Sequence, residues 1–227
     1  MDLRQEHQRL KEFWNRRTSK RVQATSQFRY QYDFYERYKK QLREPFLDVG
    51  CGDGELLEFL IKDGRREVYG VDISEAAIQL AKERLHRYLG DEVDARLKIG
   101  DMICLSQYYD EGFFNTIICE GTFHQTTYSG ANLTAVEIYK VLSDDGLAYV
   151  SVRSDSTPPK NADLVDGERE TYRLRDEDGV VRCYFSEQGF VSLVKDRFEI
   201  LELEEKELLT RIEKQHYKMR TVVMRKK

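Results

Sequence analysis

Three glycines at alternate positions, Gly50, Gly52 and Gly54, constrain this chain more than any other feature. Phe46-Leu47-Asp48-Val49 enters the turn as a short apolar strand carrying one acid. Leu56, Leu57, Leu60 and Ile61 leave it at helical spacing. Glycine at such a turn admits positive φ and leaves the backbone bare, so that a flat or extended ligand can lie against it. The following helix points its unpaired N–H groups into the same crevice, which favours the negative end of that ligand. Spacing disposes of two familiar nucleotide turns. A GxGxxG pattern started at Gly50 needs glycine at position 55, where Glu55 stands, and no Lys-Ser/Thr follows as in a phosphate loop. What remains is acid-x-Gly-x-Gly-x-Gly.

Two more acids fall at the ends of expected strands. Glu67 to Ser74 reads as a second strand finishing at Asp72, about 20 residues beyond the glycines, where a carboxylate accepts hydrogen bonds from both hydroxyls of a ribose. Ser74 is placed to cap a helix from Glu75 to about Leu89, which leaves Ile73 free to pack on a ring. A third strand, Ala95 to Ile99, runs into Gly100-Asp101-Met102, and Asp101 has a second reading as a helix cap. The fourth strand, Phe113 to Cys119, opens into Glu120 and the polar stretch Gly121 to Tyr128. Three acids at three successive strand ends exceed what capping requires, and ligands of open α/β sheets bind outside those ends.

With Asp48 before the glycines, the turn resembles motif I of the class I S-adenosylmethionine-dependent methyltransferases, and the resemblance runs from residue 46 to about residue 152. It implies an α/β, Rossmann-like, doubly wound sheet of seven strands, mostly parallel, with the last strand inserted antiparallel. It also implies S-adenosyl-L-methionine as cofactor and a small-molecule acceptor methylated by in-line transfer. The cofactor residues that follow from it are Asp48, Gly50, Cys51, Gly52, Asp72, Ile73, Asp101, Met102 and Glu120. Asp101 would meet the adenine amino group, while Met102 or Ile103 packs on the base. Methyltransferases of nucleic-acid amino groups carry Asn/Asp/Ser-Pro-Pro-Tyr/Phe after the fourth strand, a pattern missing here.

For the chemistry, His124 is the first candidate as base or acceptor contact, because it follows the fourth strand and imidazole titrates near neutrality. Tyr128 and Glu120 come next, and Glu120 is equally suited to the cofactor's ammonium. His7, His86 and His216 stand outside any motif and read as structural or exposed. If the N-terminal helix closes over the cofactor, one of Arg16, Arg17, Lys20 and Arg21 reaches its carboxylate.

The rest of the chain is organised around this centre. Residues 1–44 read as a helical lid or extension, with helices over 3–15 and Gln27 to Leu42. Residues 45–227 form the cofactor-binding domain, with 153–185 as a substrate-side insertion. Within that insertion, Glu170–Arg175 and Val180–Phe185 flank Asp176-Glu177-Asp178-Gly179 as a hairpin. A helix from Ala135 to Leu142, a fifth strand over Leu147–Val152, a Ser186-capped helix to Lys195 and strands over Phe198–Glu204 and Tyr217–Met224 complete the pattern. Hydrophobic residues at 40% suffice for a core, and no run reaches the ~18 apolar residues of a membrane span. The first residues lack a signal-peptide stretch, so cytoplasmic residence without a membrane partner is expected. Four cysteines without a CxxC pair predict reduced thiols and no metal.

Charge keeps alternatives open. Residues 1–45 hold twelve Lys or Arg against six Asp or Glu, and the segment after Leu209 holds seven against one. Such ends suit nucleic acid, hence an RNA or cap methyltransferase as an alternative. The third reading is a non-catalytic protein that binds the same cofactor for regulation. Oligomeric state and acceptor identity are not encoded in any motif.

Overall fold

The computed structural model describes residues 2–19, 30–209 and 216–227. Among them, seven strands form one sheet: β1 (Phe46–Val49), β2 (Val68–Asp72), β3 (Leu97–Ile99), β4 (Phe114–Cys119), β5 (Leu142–Arg153), β9 (Phe198–Leu209) and β10 (His216–Lys226). They lie in the order β3-β2-β1-β4-β5-β10-β9. β1 pairs in parallel with β2 and with β4, so the winding direction reverses between β1 and β4. A crevice opens at such a reversal because the two flanking connections leave towards opposite faces. β10 runs antiparallel to both β5 and β9, the inserted last strand expected from the sequence.

The central strands are buried on both faces, and their near-continuous apolar character follows from that. α3 (Glu55–Lys62), α4 (Glu75–Leu89), α6 (Tyr128–Val141) and α7 (Glu187–Val194) cover the sheet. One core cluster joins Leu47, Ile117, Val150, Phe185 and Phe190. A second joins Phe46, Leu57, Ile78, Leu85 and Tyr149. Each large apolar side chain so buried contributes about 1.5–3 kcal/mol.

Several boundaries differ from the sequence reading. The first helix, α1 (Leu3–Ser19), runs four residues further than expected, to Ser19, whose hydroxyl donates to the Asn15 carbonyl. The second, α2 (Tyr30–Tyr38), stops before Leu42, and residues 27–29 lie outside the described residues. α2 packs on the sheet through its aromatic residues and brings Gln31 and Tyr32 to the cleft. Phe34 stacks on Tyr149 at 4.8 Å, while the Tyr35 and Tyr38 hydroxyls donate to Asp63 and Glu202. The third strand begins at Leu97, because Val93–Arg96 closes a helical turn, α5. The helix expected over 135–142 starts seven residues earlier, where Thr127 accepts from the Gly130 N–H as its cap. β5 takes in the expected turn over 143–146, with a register shift against β4 and Asp145 at φ 60°.

The insertion after β5 folds as its own antiparallel sheet of β6 (Ala162–Leu164), β7 (Thr171–Leu174) and β8 (Val181–Cys183). Its inner edge meets α1 in a small separate core of Leu10, Phe13, Leu174 and Val180, with Trp14 and Ile73 packed against it. Polar ties reinforce that seam. Arg173 donates to both oxygens of the buried Glu6, at 2.8 and 3.2 Å, and Arg16 reaches Asp178 at 3.0 Å on the exposed rim.

Candidate functional site

A single cleft of ≈ 2140 Å³ runs along the carboxyl ends of β1, β2, β4 and β5, under α1 and the three-stranded insertion. The glycine turn forms one wall. Gly50 and Cys51 donate to the Val71 carbonyl, which fastens the turn to β2. Gly50 has φ 78°, and a side chain there would collide with Thr122, its Cβ falling 2.0 Å from Oγ1, so glycine lets the β4 loop close against β1. Gly52, at φ 53°, faces open space with no atom within 4 Å of where a Cβ would stand. That bare backbone is the cradle for an extended ligand.

Around the cradle stand the expected acids. Asp72 accepts from the Gly52 N–H at 3.0 Å and the Ser74 N–H at 2.8 Å, one on each oxygen, which leaves each oxygen capacity for a further donor. Burial lifts its pKa, with the two backbone donors pulling the other way. Asp48, buried at the end of β1, is pushed up to about 8 by burial and then by Asp72 and Glu120. Glu120 lies across the crevice from Asp48. Its Oε1 accepts from the Ser151 hydroxyl at 2.7 Å while its Oε2 has no partner among the described residues. Burial drives its pKa up to about 7, against the Ser151 hydrogen bond and the nearby Tyr149 hydroxyl. Buried carboxyls with raised pKa values around an unfilled acceptor oxygen are suited to a cationic group.

Cys51, Ile73, Asp101 and Met102 also line the cleft. Asp101 does both things read from the sequence: it caps Ile103 at 3.2 Å and faces the cleft. Its second oxygen takes a partner that no motif announced. His7 Nδ1 lies 2.6 Å from it, and His7 Nε2 lies 2.7 Å from the Thr126 hydroxyl. His7 is buried, and it pins α1 to the end of β3 and to the start of α6. A polar residue on the inner face of a helix, one position from the buried Glu6, was the only signal for it. His86, by contrast, is exposed on α4, and the side chain of His216 lies outside the described residues.

The acceptor end of the cleft corrects two assignments. Tyr128 does not line it; its hydroxyl donates to the Gly189 carbonyl at 2.9 Å and its ring packs near Phe185. The early start of α6 turns Tyr128 away. His124 does line the cleft but is unsuited to the role of general base. Arg182 Nε donates to Gln125 Oε1 at 2.9 Å, so the Gln125 amide nitrogen faces His124 Nε2 at 3.3 Å and is the donor there. With Nε2 accepting, the ring proton sits on Nδ1. Burial, then Arg153 and Arg182, hold the imidazole well below its ordinary pKa. It is a neutral donor. Among the arginines after Trp14, Arg17 borders the cleft, Arg16 is spent on Asp178, and Lys20 and Arg21 lie outside the described residues.

Residues 46–146 match the family described as "Methyltransferase domain". A Geobacillus sp. (strain WCH70) protein named as a methyltransferase is 32% identical over 123 residues, 52% of this chain and 46% of that protein. The chain spans less than half the length of the curated relatives it matches. Among solved structures, a Burkholderia thailandensis 1,6-didemethyltoxoflavin-N1-methyltransferase, with that compound and S-adenosylhomocysteine bound, superposes with TM-score 0.76. It shares 15% identity and covers 100% of this chain and 91% of its own. A Methanosarcina mazei S-adenosylmethionine-dependent methyltransferase gives TM-score 0.69 at 23% identity, covering 86% of this chain and 97% of its own. Residues 46–146 thus match a methyltransferase domain, and the chain has the Rossmann-like fold of these solved structures.

Proposed function

We propose that the protein transfers a methyl group from S-adenosylmethionine to a small-molecule acceptor held under α1 and the 153–185 insertion. The observation that carries the cofactor assignment is the wall opposite that roof. It joins the open cradle of Gly52, the Asp72 carboxylate with capacity left on both oxygens, and the unpartnered Glu120 Oε2. These fit a ligand with a ribose diol and an ammonium better than a pyrophosphate, which three acids would repel. Asp72 takes the ribose hydroxyls, Ile73 and Met102 flank the base, and Asp101 receives its amino group. Asp48 and Glu120 face the ammonium, and Arg17, with its Nε buried and unpartnered among the described residues, is available to the carboxylate.

Bound there, S-adenosylmethionine supplies an electrophilic methyl whose bonding pair leaves on sulfur as the acceptor's lone pair forms the new bond. The protein's own contribution is alignment and exclusion of water. With Glu120 committed to the ammonium and His124 donating a hydrogen bond, the cleft suits an acceptor that arrives with its lone pair already free. The small-molecule assignment rests on the roof. α1 and β7 are joined over the cleft by Glu6, Arg173 and an apolar seam, a partial roof that supports a compact acceptor over a polymer. The Burkholderia enzyme that shares the fold over the whole chain acts on such a compound. The test is release of S-adenosylhomocysteine from the cofactor with cell extract split by size. Release that follows the fraction below about 1 kDa is expected; release that follows the RNA fraction would favour the nucleic-acid alternative, and none in any fraction would favour a non-catalytic role.

A further inference from the structure

The acceptor end of the cleft holds a half-buried cation, Arg153, that nothing in the cofactor assignment uses. Arg153 ends β5, two residues past the Ser151 that anchors Glu120, so alternation along the strand sends both side chains to one face of the sheet. Its guanidinium lies over the Tyr217 ring at 3.9 Å from the centroid. Its Nε and Nη1 are buried with no hydrogen-bond partner among the described residues. The neighbouring arginine is in the opposite condition. Arg182 is compensated, donating through both terminal nitrogens to Glu177 and through Nε to Gln125. Glu177 is therefore spent on Arg182, and the Arg153 charge is left without a matching carboxylate of its own. Burial accordingly pulls the Arg153 pKa below its ordinary value, with the Arg182 charge acting in the same direction.

A guanidinium with buried, unpaired nitrogens is costly, and an incoming anion relieves that cost. A second cleft-lining group without a partner among the described residues is a donor too. His124 keeps its proton on Nδ1, which also lacks a partner among the described residues, and Arg153 is the charge that acts on it most strongly. Donors without acceptors, one of them a planar fork backed by an aromatic ring, define a receptor for a carboxylate or a similar oxyanion. The opposite end of the same cleft, with Asp48, Asp72 and Glu120, repels such a group. An acidic acceptor is therefore oriented with its anion at Arg153 and its far end towards Glu120.

Resting on the methyltransferase assignment above, we infer that the acceptor is an anionic small molecule whose carboxylate or equivalent oxyanion is bound by Arg153 against Tyr217. The test uses saturation-transfer NMR on the full chain with S-adenosylhomocysteine bound, and benzoate, phenyl phosphate and the neutral benzamide as probes. Benzoate or phenyl phosphate should bind at least about tenfold more tightly than benzamide. Arg153→Met should abolish the preference and Arg153→Lys should keep part of it, both with S-adenosylhomocysteine affinity unchanged. The wild-type comparison stands even if a variant fails to fold. Equal binding of benzoate and benzamide to the wild type, or a preference that survives Arg153→Met, would overturn the inference while leaving the cofactor assignment intact. Failure of S-adenosylhomocysteine to bind would remove the cofactor assignment and this inference together.

Discussion

The two ends of the cleft are built by opposite means. The cofactor end is made from backbone and acids at the ends of β1, β2 and β3, and each acid sits within a few residues of the strand and turn that place it. The acceptor end is made from cations, amides and rings brought from β5, β8, β10 and the loop before α6. Arg153, Arg182 and Tyr217 meet there although scores of residues separate them in sequence. One end is a local device repeated on successive strands; the other exists only after the insertion has folded back. Short-range structure can therefore fix how the cofactor is held, while selection of the acceptor depends on how the insertion and α1 are seated.

That contrast can be broken at its strongest point first. Asp72→Ala should weaken S-adenosylhomocysteine by more than about 100-fold by calorimetry, since two hydrogen bonds to a charged carboxylate are each worth about 1.5–3 kcal/mol. An unchanged affinity would move the ribose elsewhere. His7→Ala probes a tie between α1, the end of β3 and the loop before α6, leaving Asp101 and Thr126 without their buried partner. It should cost about 2 kcal/mol in urea unfolding, and limited proteolysis should show α1 released before the central sheet. A loss confined to cofactor binding, with α1 still protected, would contradict the role given to His7.

A third prediction separates the charges along the cleft by pH. Glu120 ionises near pH 7, so the carboxylate that pairs with the cofactor's ammonium is mostly protonated at pH 6 and mostly ionised at pH 8. Affinity for S-adenosylmethionine should rise by about tenfold over that interval, the change in the ionised fraction of a group with that pKa. Glu120→Gln should shrink the rise to the part supplied by Asp48, which is pushed up to about 8, and a wild-type affinity that falls with rising pH would contradict the assignment. The smallest effect belongs to the rim. Arg16→Ala removes an exposed pair with Asp178 and should change stability by less than about 0.5 kcal/mol. A larger loss would mean that the seam between α1 and the insertion is electrostatic rather than apolar.

The same contrast explains what could be read from the sequence. Asp48, the glycines, Asp72 and Asp101 were legible because strand, turn and cap signals are all short-range, and the family resemblance they carry implied the seven-stranded sheet. The hairpin around Asp176–Gly179 was legible from its turn residues. His124 was correctly brought to the cleft, yet its protonation state depends on Gln125 and on Arg182, 57 residues further along the chain, which no local pattern carries. Tyr128 was misplaced because the cap at Thr127 starts α6 early and rotates the phenol towards Gly189. His7 and Arg153 had no motif at all. Their meaning comes from burial and from the absence of an alternative partner, properties that exist only in three dimensions.

The central claim is that the carboxyl ends of β1, β2 and β4 hold S-adenosylmethionine. Calorimetric titration of the full chain with S-adenosylmethionine, S-adenosylhomocysteine and NAD tests it most directly. The account predicts micromolar binding of both sulfur nucleosides and none of NAD, whose pyrophosphate would meet Asp48, Asp72 and Glu120. Binding of NAD in preference to either, or of none of the three, would contradict it.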